Sequence, residues 1–202
     1  MTTRTLLRHL VGTMGAALAL AGCGREHRDL TGPNGPAPSL SQQAALGQEF
    51  VSIDYPGTTF TDAVSISASG EILGRYLGAD GRLHGFLLFQ GTFTKVPDVA
   101  DALESVPNRL NARGTIVGTY RDPLKEHAYV LSGGTFAIID FPDPAMSLAG
   151  WGINDGGDVV GPEFVEGDFL DAHGYRFSNN TFTLSDVPGA MGTFPTDRKS
   201  VV

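Results

Sequence analysis

LNARGTIVGTYRDPLKEHAYVLSGGTF, residues 110–136, is a pattern that the chain states three times. Ile66-Ser-Ala-Ser-Gly70-Glu-Ile-Leu-Gly74 precedes it and Ile153-Asn-Asp-Gly-Gly157-Asp-Val-Val-Gly161 follows. Each copy is trailed by a His-Gly or His-Ala pair, an aromatic residue and a Thr-Phe pair. Gly74, Gly118 and Gly161 recur at intervals of 44 and 43 residues, and His84, His127 and His173 at intervals of 43 and 46, as do Phe93, Phe136 and Phe182. Such fixed spacing marks a structural repeat rather than a composition bias. The third copy has gained three residues between its glycine and its histidine, and an insertion confined to one place predicts a loop. Asp-X-Pro is a further marker, at Asp54, Asp140 and Asp186, with Val96-Pro97-Asp98 as its degenerate middle copy.

Each copy reads as four short strands. The first ends at Ile66, Leu110 or Ile153 and turns through a glycine, which tolerates positive φ, into Ile72-Leu73, Ile116-Val117 or Val159-Val160. The third runs from the histidine, as in Phe86-Leu-Leu-Phe89, and is apolar on both faces in the first two copies, as befits a strand sandwiched between sheets. Arg176 interrupts that pattern in the last copy. Gln90-Gly91, Gly133-Gly134 and Asn179-Asn180 suit two-residue hairpins into the fourth strand. The fold class expected is therefore all-β: four-stranded antiparallel repeats of 43–46 residues, stacked as an incomplete β-propeller of about three blades. Phe50-Val-Ser-Ile53-Asp54 matches a fourth strand and is expected to complete a last blade.

The chain has 202 residues, with 27 glycines and a formal net charge of −8, which favours a turn-rich β protein. Residues 1–22 carry Arg4, Arg8 and an apolar run from Leu10 to Leu20, the plan of an export signal. As a helix that run spans only about 16 Å, too short to cross a bilayer. Residues 23–48 are polar and rich in Gly, Pro and Ser, a tether with an end-to-end distance of roughly 25–30 Å. The three repeats fill residues 49–196. Asp197-Arg-Lys-Ser-Val-Val202 departs from the repeat and matches the translation of a sequencing-library adapter. These six residues are expected to be non-native, with the native gene continuing into at least one further repeat.

Leu20-Ala-Gly-Cys23 resembles the lipobox of bacterial lipoproteins. On that resemblance Cys23 becomes the lipidated first residue of the mature chain, and the protein is held at a membrane of the cell envelope, at the outer membrane or the cell surface. It is the only cysteine, so no intramolecular disulfide forms. Several acyl chains on one residue anchor firmly, since each buried CH₂ contributes about 0.8 kcal/mol. His84-Gly-Phe86, His127-Ala-Tyr129 and His173-Gly-Tyr175, each after its glycine-bearing hairpin, resemble the repeats of the bacterial extracellular HAF family, named for His-Ala-Phe. The similarity covers about residues 50–190 and implies export and a propeller-like fold; it implies no activity. Gly replaces Ala twice here and Tyr replaces Phe twice.

No nucleophile elbow, phosphate loop or zinc-protease pattern occurs, and no catalytic residue is assigned. His84, His127 and His173 occupy equivalent places in successive repeats, which sets them apart in space and favours a structural imidazole bonded to a neighbouring strand over a metal triad. Glu163, Glu166, Asp168 and Asp171 gather four carboxylates in the insertion. They are weak candidates for calcium against the simpler reading of a solvated acidic loop; no other cofactor is expected. Trp151 is expected in the core rather than as a sugar-stacking platform. Without residues 1–22 the chain has 22 acidic and 12 basic side chains, an excess of −10 that repels phosphate and argues against nucleic acid. The leading expectation is a lipid-anchored binding or scaffold module without enzymatic activity, whose partner beyond the membrane is a protein or a glycan. The alternative is an extracellular polysaccharide hydrolase or lyase using Glu163, Asp168 or Asp171.

Overall fold

A computed structural model describes residues 51–196; the signal segment, Cys23, the tether to residue 48 and the tail 197–202 lie outside the described residues. The described residues are all-β, arranged in three antiparallel sheets without a helix among them. The first sheet runs β1 (Thr61–Ile66), β2 (Ile72–Leu77), β3 (Leu83–Phe89), β4 (Thr92–Lys95) in spatial order. The second runs β5 (Glu104–Leu110), β6 (Ile116–Arg121), β7 (Glu126–Ser132), β8 (Thr135–Ile139). In the third, β9 (Met146–Leu148) and β10 (Gly152–Ile153) both pair with β11 (Val159–Val165), followed by β12 (Asp168–Ser178) and β13 (Thr181–Leu184). β9 and β10 are two parts of one first strand, since Ala149 N and Trp151 N donate to Pro162 O and Val160 O between them.

The hairpins follow from backbone chemistry. Both central residues of the β3–β4, β7–β8 and β12–β13 turns have positive φ, at Gln90 and Gly91, Gly133 and Gly134, Asn179 and Asn180. That is the turn whose twist matches the flanking strands.

The repeated glycine answers to packing rather than to a turn. Gly74, Gly118 and Gly161 stand opposite Phe86, Tyr129 and Tyr175, the aromatic residue of each His-X-aromatic triplet. A Cβ at Gly74 would lie 2.2 Å from Phe86 Cζ, one at Gly118 2.4 Å from Tyr129 Cζ, and one at Gly161 1.8 Å from Ala149 O. The ring in the first two sheets thus takes the space a side chain would need, and a bulge in the first strand faces the same glycine, at Val64 and Asn108. All three rings are at most 1% exposed.

Two cores separate the three sheets. Leu73 and Val96 of the first meet Leu110, Ile116, Tyr129 and Leu131 of the second. Val117, Ala128 and Ile139 of the second meet Leu148, Ile153, Val159 and Tyr175 of the third. Adjacent residues Ile116 and Val117 therefore serve opposite cores, as strand alternation requires, and the middle sheet is buried on both faces. Each such fully buried side chain contributes about 1.5–3 kcal/mol. Hydrogen bonds add register: Arg109 Nη1 donates to Val64 O (2.9 Å), Asn108 Nδ2 to Gly150 O (2.9 Å) and Asn111 Nδ2 to Asn154 O (3.0 Å). These partners are 45, 42 and 43 residues apart, one repeat in each case.

One expectation is corrected and another is left outside the described residues. Residues 51–54 lie outside the three sheets, each of which has its own fourth strand; the last blade they are expected to complete is not among the described residues. The insertion is not a loop: β11 and β12 lengthen into one hairpin that closes at Glu166-Gly167, with Val165 paired to Asp168 and Gly167 at φ +86°.

Candidate functional site

The motif histidine opens the third strand of each sheet, and its Nδ1 meets a carboxylate that arrives after the fourth strand. His84 Nδ1 lies 2.9 Å from Asp98 Oδ2, His127 Nδ1 2.5 Å from Asp140 Oδ1, and His173 Nδ1 3.0 Å from Asp186 Oδ2. The expected bond to a neighbouring strand is thus replaced by one to the Asp-X-Pro marker of the same repeat. Spacing carried that signal, since the aspartate follows the histidine by 14, 13 and 13 residues. Each pair clamps the end of a sheet to the connection leading onward.

The other ring nitrogen is handled differently in each copy. His84 Nε2 is 3.1 Å from Asp80 Oδ1. Asp122 Oδ2 is 3.2 Å from His127 Nε2 but off its axis, so that this buried nitrogen lacks a well-formed hydrogen bond. Backbone N–H groups of Arg82 and of Lys125 and Leu124, more than the imidazoles, hold Asp80 and Asp122 below the usual carboxylate range. Tyr120 stacks on His127 at 4.6 Å and Tyr76 tilts against His84 at 5.5 Å; burial pushes the Tyr76 hydroxyl up to about 12.

The third copy breaks this arrangement. Glu163 occupies the place of Tyr76 and Tyr120, two residues after the repeated glycine and directly opposite the histidine, here His173. It is 3% exposed and its Oε2 has no partner. Burial raises its pKa, opposed by the nearby imidazole. The His173 pKa is raised in turn, first by the hydrogen bond its ring donates to Asp186 and then by the charges of Asp186, Glu163 and Asp171.

The four insertion carboxylates disperse. Glu166 turns to the second sheet, where Oε1 takes Arg121 Nη2 at 2.5 Å and Oε2 takes Ser147 Oγ at 2.7 Å, and these bonds hold its pKa down. Asp168 and Asp171 are exposed and Glu163 is buried. Among the described residues no three His, Cys, Asp or Glu side chains converge closely enough to hold a metal ion.

Trp151 is half-buried rather than fully in the core. Its ring lies 6.1 Å from Phe169 and 6.0 Å from Phe194, both at the surface. It also lines two clefts, of about 160 Å³ and 420 Å³, that share it with Asn108. The sequence offered little to reveal that place, because it depends on where the first strands of three sheets meet.

No protein-family model matches the chain, and no curated protein matches it. A crystal structure of a triple arginine-to-alanine mutant of AofleA from Arthrobotrys oligospora is similar over 62% of this chain and 40% of that chain, at 14% identity and a TM-score of 0.39. The chain thus spans less than half the length of that protein.

Proposed function

We propose that the chain is an exported protein of the HAF-repeat type, anchored through lipid on Cys23 at the bacterial cell envelope, with its three sheets as consecutive blades of an incomplete β-propeller. It works there as a non-enzymatic binding or scaffold module. One observation carries this reading. The motif imidazoles are spent on clasps to Asp98, Asp140 and Asp186, so the repeated groups hold the sheets, and the surface is left to side chains that differ between repeats. Hydrogen bonds one repeat apart between successive sheets support the blade reading. The anchor rests on the lipobox resemblance, and the −10 charge balance of the exported chain argues against nucleic acid and in favour of a protein or glycan as partner.

A second reading has one observation in its favour. Glu163, buried with raised pKa beside His173, is the kind of carboxyl that serves as a general acid in polysaccharide hydrolysis or elimination. Two assays separate the readings. Metabolic labelling with a palmitate analogue is expected to mark the wild-type chain and not Cys23→Ala; equal labelling refutes the anchor. Incubation with a polysaccharide panel is expected to release no new chain ends, and release that disappears in Glu163→Gln would install the hydrolase or lyase reading instead.

A further inference from the structure

We propose that the groove where the first strands of the three sheets converge binds carbohydrate, with Trp151 as its stacking platform. This deepens the binding-module reading and rests on it. The groove is the pair of clefts that meet at Trp151 and Asn108. Asp62 of β1, Asn108 of β5 and Trp151 of the third sheet's first strand supply its walls, so every sheet contributes. The larger cleft, about 420 Å³, falls within the usual range of small-ligand sites.

Three features point to a sugar rather than an ion. Phe169 and Phe194 pack against the indole and fix its plane, while the residue stays only half-buried. An aromatic ring held in this way takes the C–H face of a pyranose at little entropic cost. Asn108 is locked as well, because its Nδ2 donates to Gly150 O at 2.9 Å and to Thr119 Oγ1 at 3.3 Å. Its Oδ1 is left as an oriented acceptor for a hydroxyl. Finally, the lining charges balance: Asp62 pairs with Arg75 and Arg121 with Glu126, while the two that form no ion pair among the described residues, Glu104 and Arg109, are of opposite sign. A groove whose lining charges sum to zero gives a phosphate or a metal cation no net attraction, yet its planar carboxylate, amide and guanidinium groups suit the paired hydroxyls of a neutral sugar. Proline-rich peptides also use aromatic grooves, but they need apolar walls more than this density of polar groups.

Trp151 is the only tryptophan of the chain, so its emission reports on the site without labelling. The full chain is titrated with cellohexaose, xylohexaose, mannohexaose and chitohexaose, and the same solutions are followed by calorimetry. At least one is expected to shift the emission saturably below about 10 mM, with affinity reduced about tenfold in Trp151→Ala. Trp151→Phe, which keeps a ring, is expected to lose less and carries the test should Trp151→Ala fail to fold. Calorimetric binding that leaves the emission unmoved would overturn the site while the binding-module reading stands. No heat and no shift with any sugar, or a shift given only by a proline-rich decapeptide, would overturn the carbohydrate proposal.

Discussion

Replacing Gly118 with alanine tests the packing rule that makes the three sheets alike. The backbone there lies outside the left-handed region, so the substitution carries no conformational penalty and, in an open site, would stabilise by about 0.4–1 kcal/mol through the unfolded chain. The site is not open. The new Cβ would stand 2.4 Å from Tyr129 Cζ, from the Tyr129 hydroxyl oxygen and from Val106 O. Tyr129 is 0% exposed and Val106 O belongs to a paired strand, so neither can yield cheaply. Overpacking a core costs about 1–3 kcal/mol, and a simultaneous clash with ring and backbone belongs at the upper end; the net loss expected is about 2–3 kcal/mol. With a urea dependence of about 2 kcal/mol/M, the unfolding midpoint followed by circular dichroism should fall by roughly 1–1.5 M. Tyr129→Leu should relieve the clash, giving a coupling of at least about 1 kcal/mol in the double mutant. Gly114→Ala is the control: its φ of +77° costs about 1–2 kcal/mol in open space, without coupling to Tyr129. A Gly118→Ala midpoint within error of wild type, or strict additivity with Tyr129→Leu, would refute the reasoning.

Two further expectations concern the third sheet. His173 should titrate above the ordinary imidazole value in an NMR pH series, and Asp186→Asn should bring it down. Because its folded pKa is raised, its contribution to stability is complete below the unfolded value and lost as the pH rises through the folded one; Asp186→Asn should flatten that slope. Glu163 has a raised folded pKa for the opposite reason, loss of water around a carboxylate, so its ionisation weakens the fold as the pH rises from the ordinary carboxyl range through the folded value. Glu163→Gln should therefore unfold at higher urea than wild type at pH 8, with the difference closing on acidification; a constant or reversed difference contradicts the assignment.

What was legible from the sequence was whatever repeats. The strand ends at Ile66, Leu110 and Ile153, the positive-φ turns and the burial of Phe86, Tyr129 and Tyr175 all follow from local chemistry that three copies report together. What escaped was pairing across distance. His84 and Asp98 each stood out as repeat markers, yet their bond depends on the fourth strand returning the chain to the start of the third, which no single motif encodes. The insertion misled for a physical reason as well. Acidic residues suggested a solvated loop, but Val165 pairs with Asp168 across the turn and Phe164 meets Phe169 edge-on at 4.7 Å, so the two strands run on as a hairpin although Val165, Phe169 and Leu170 stay exposed.

The connection between sheets, rather than the hairpins within them, sets how one repeat sits on the next. Seven residues after each of Asp54, Asp98 and Asp186 a hydroxyl accepts the N–H of the residue following the aspartate. Tyr55 N donates to Thr61 Oγ1 (2.9 Å), Val99 N to Ser105 Oγ (3.2 Å) and Val187 N to Thr193 Oγ1 (3.0 Å). Ser147 stands at the same distance from Asp140, but receives Glu126 N and donates to Glu166 instead. Two positions beyond the hydroxyl, the Pro107 ring would be 2.6 Å from a Cβ at Gly85, and the Pro195 ring 3.2 Å from one at Gly174. Thr193 to Pro195 is therefore laid against the third sheet as Ser105 to Pro107 of β5 is laid against the first. The aspartate thus serves twice: its carboxylate closes the histidine clasp behind it, and the turn it opens aims the next first strand. Removing that carboxylate should loosen the docking of one sheet on another before it loosens any hairpin. In Asp98→Ala, hydrogen exchange should accelerate for β5 amides ahead of those in the β3–β4 turn; exchange that rises first at Gln90 and Gly91 would show that the clasp serves only its own sheet.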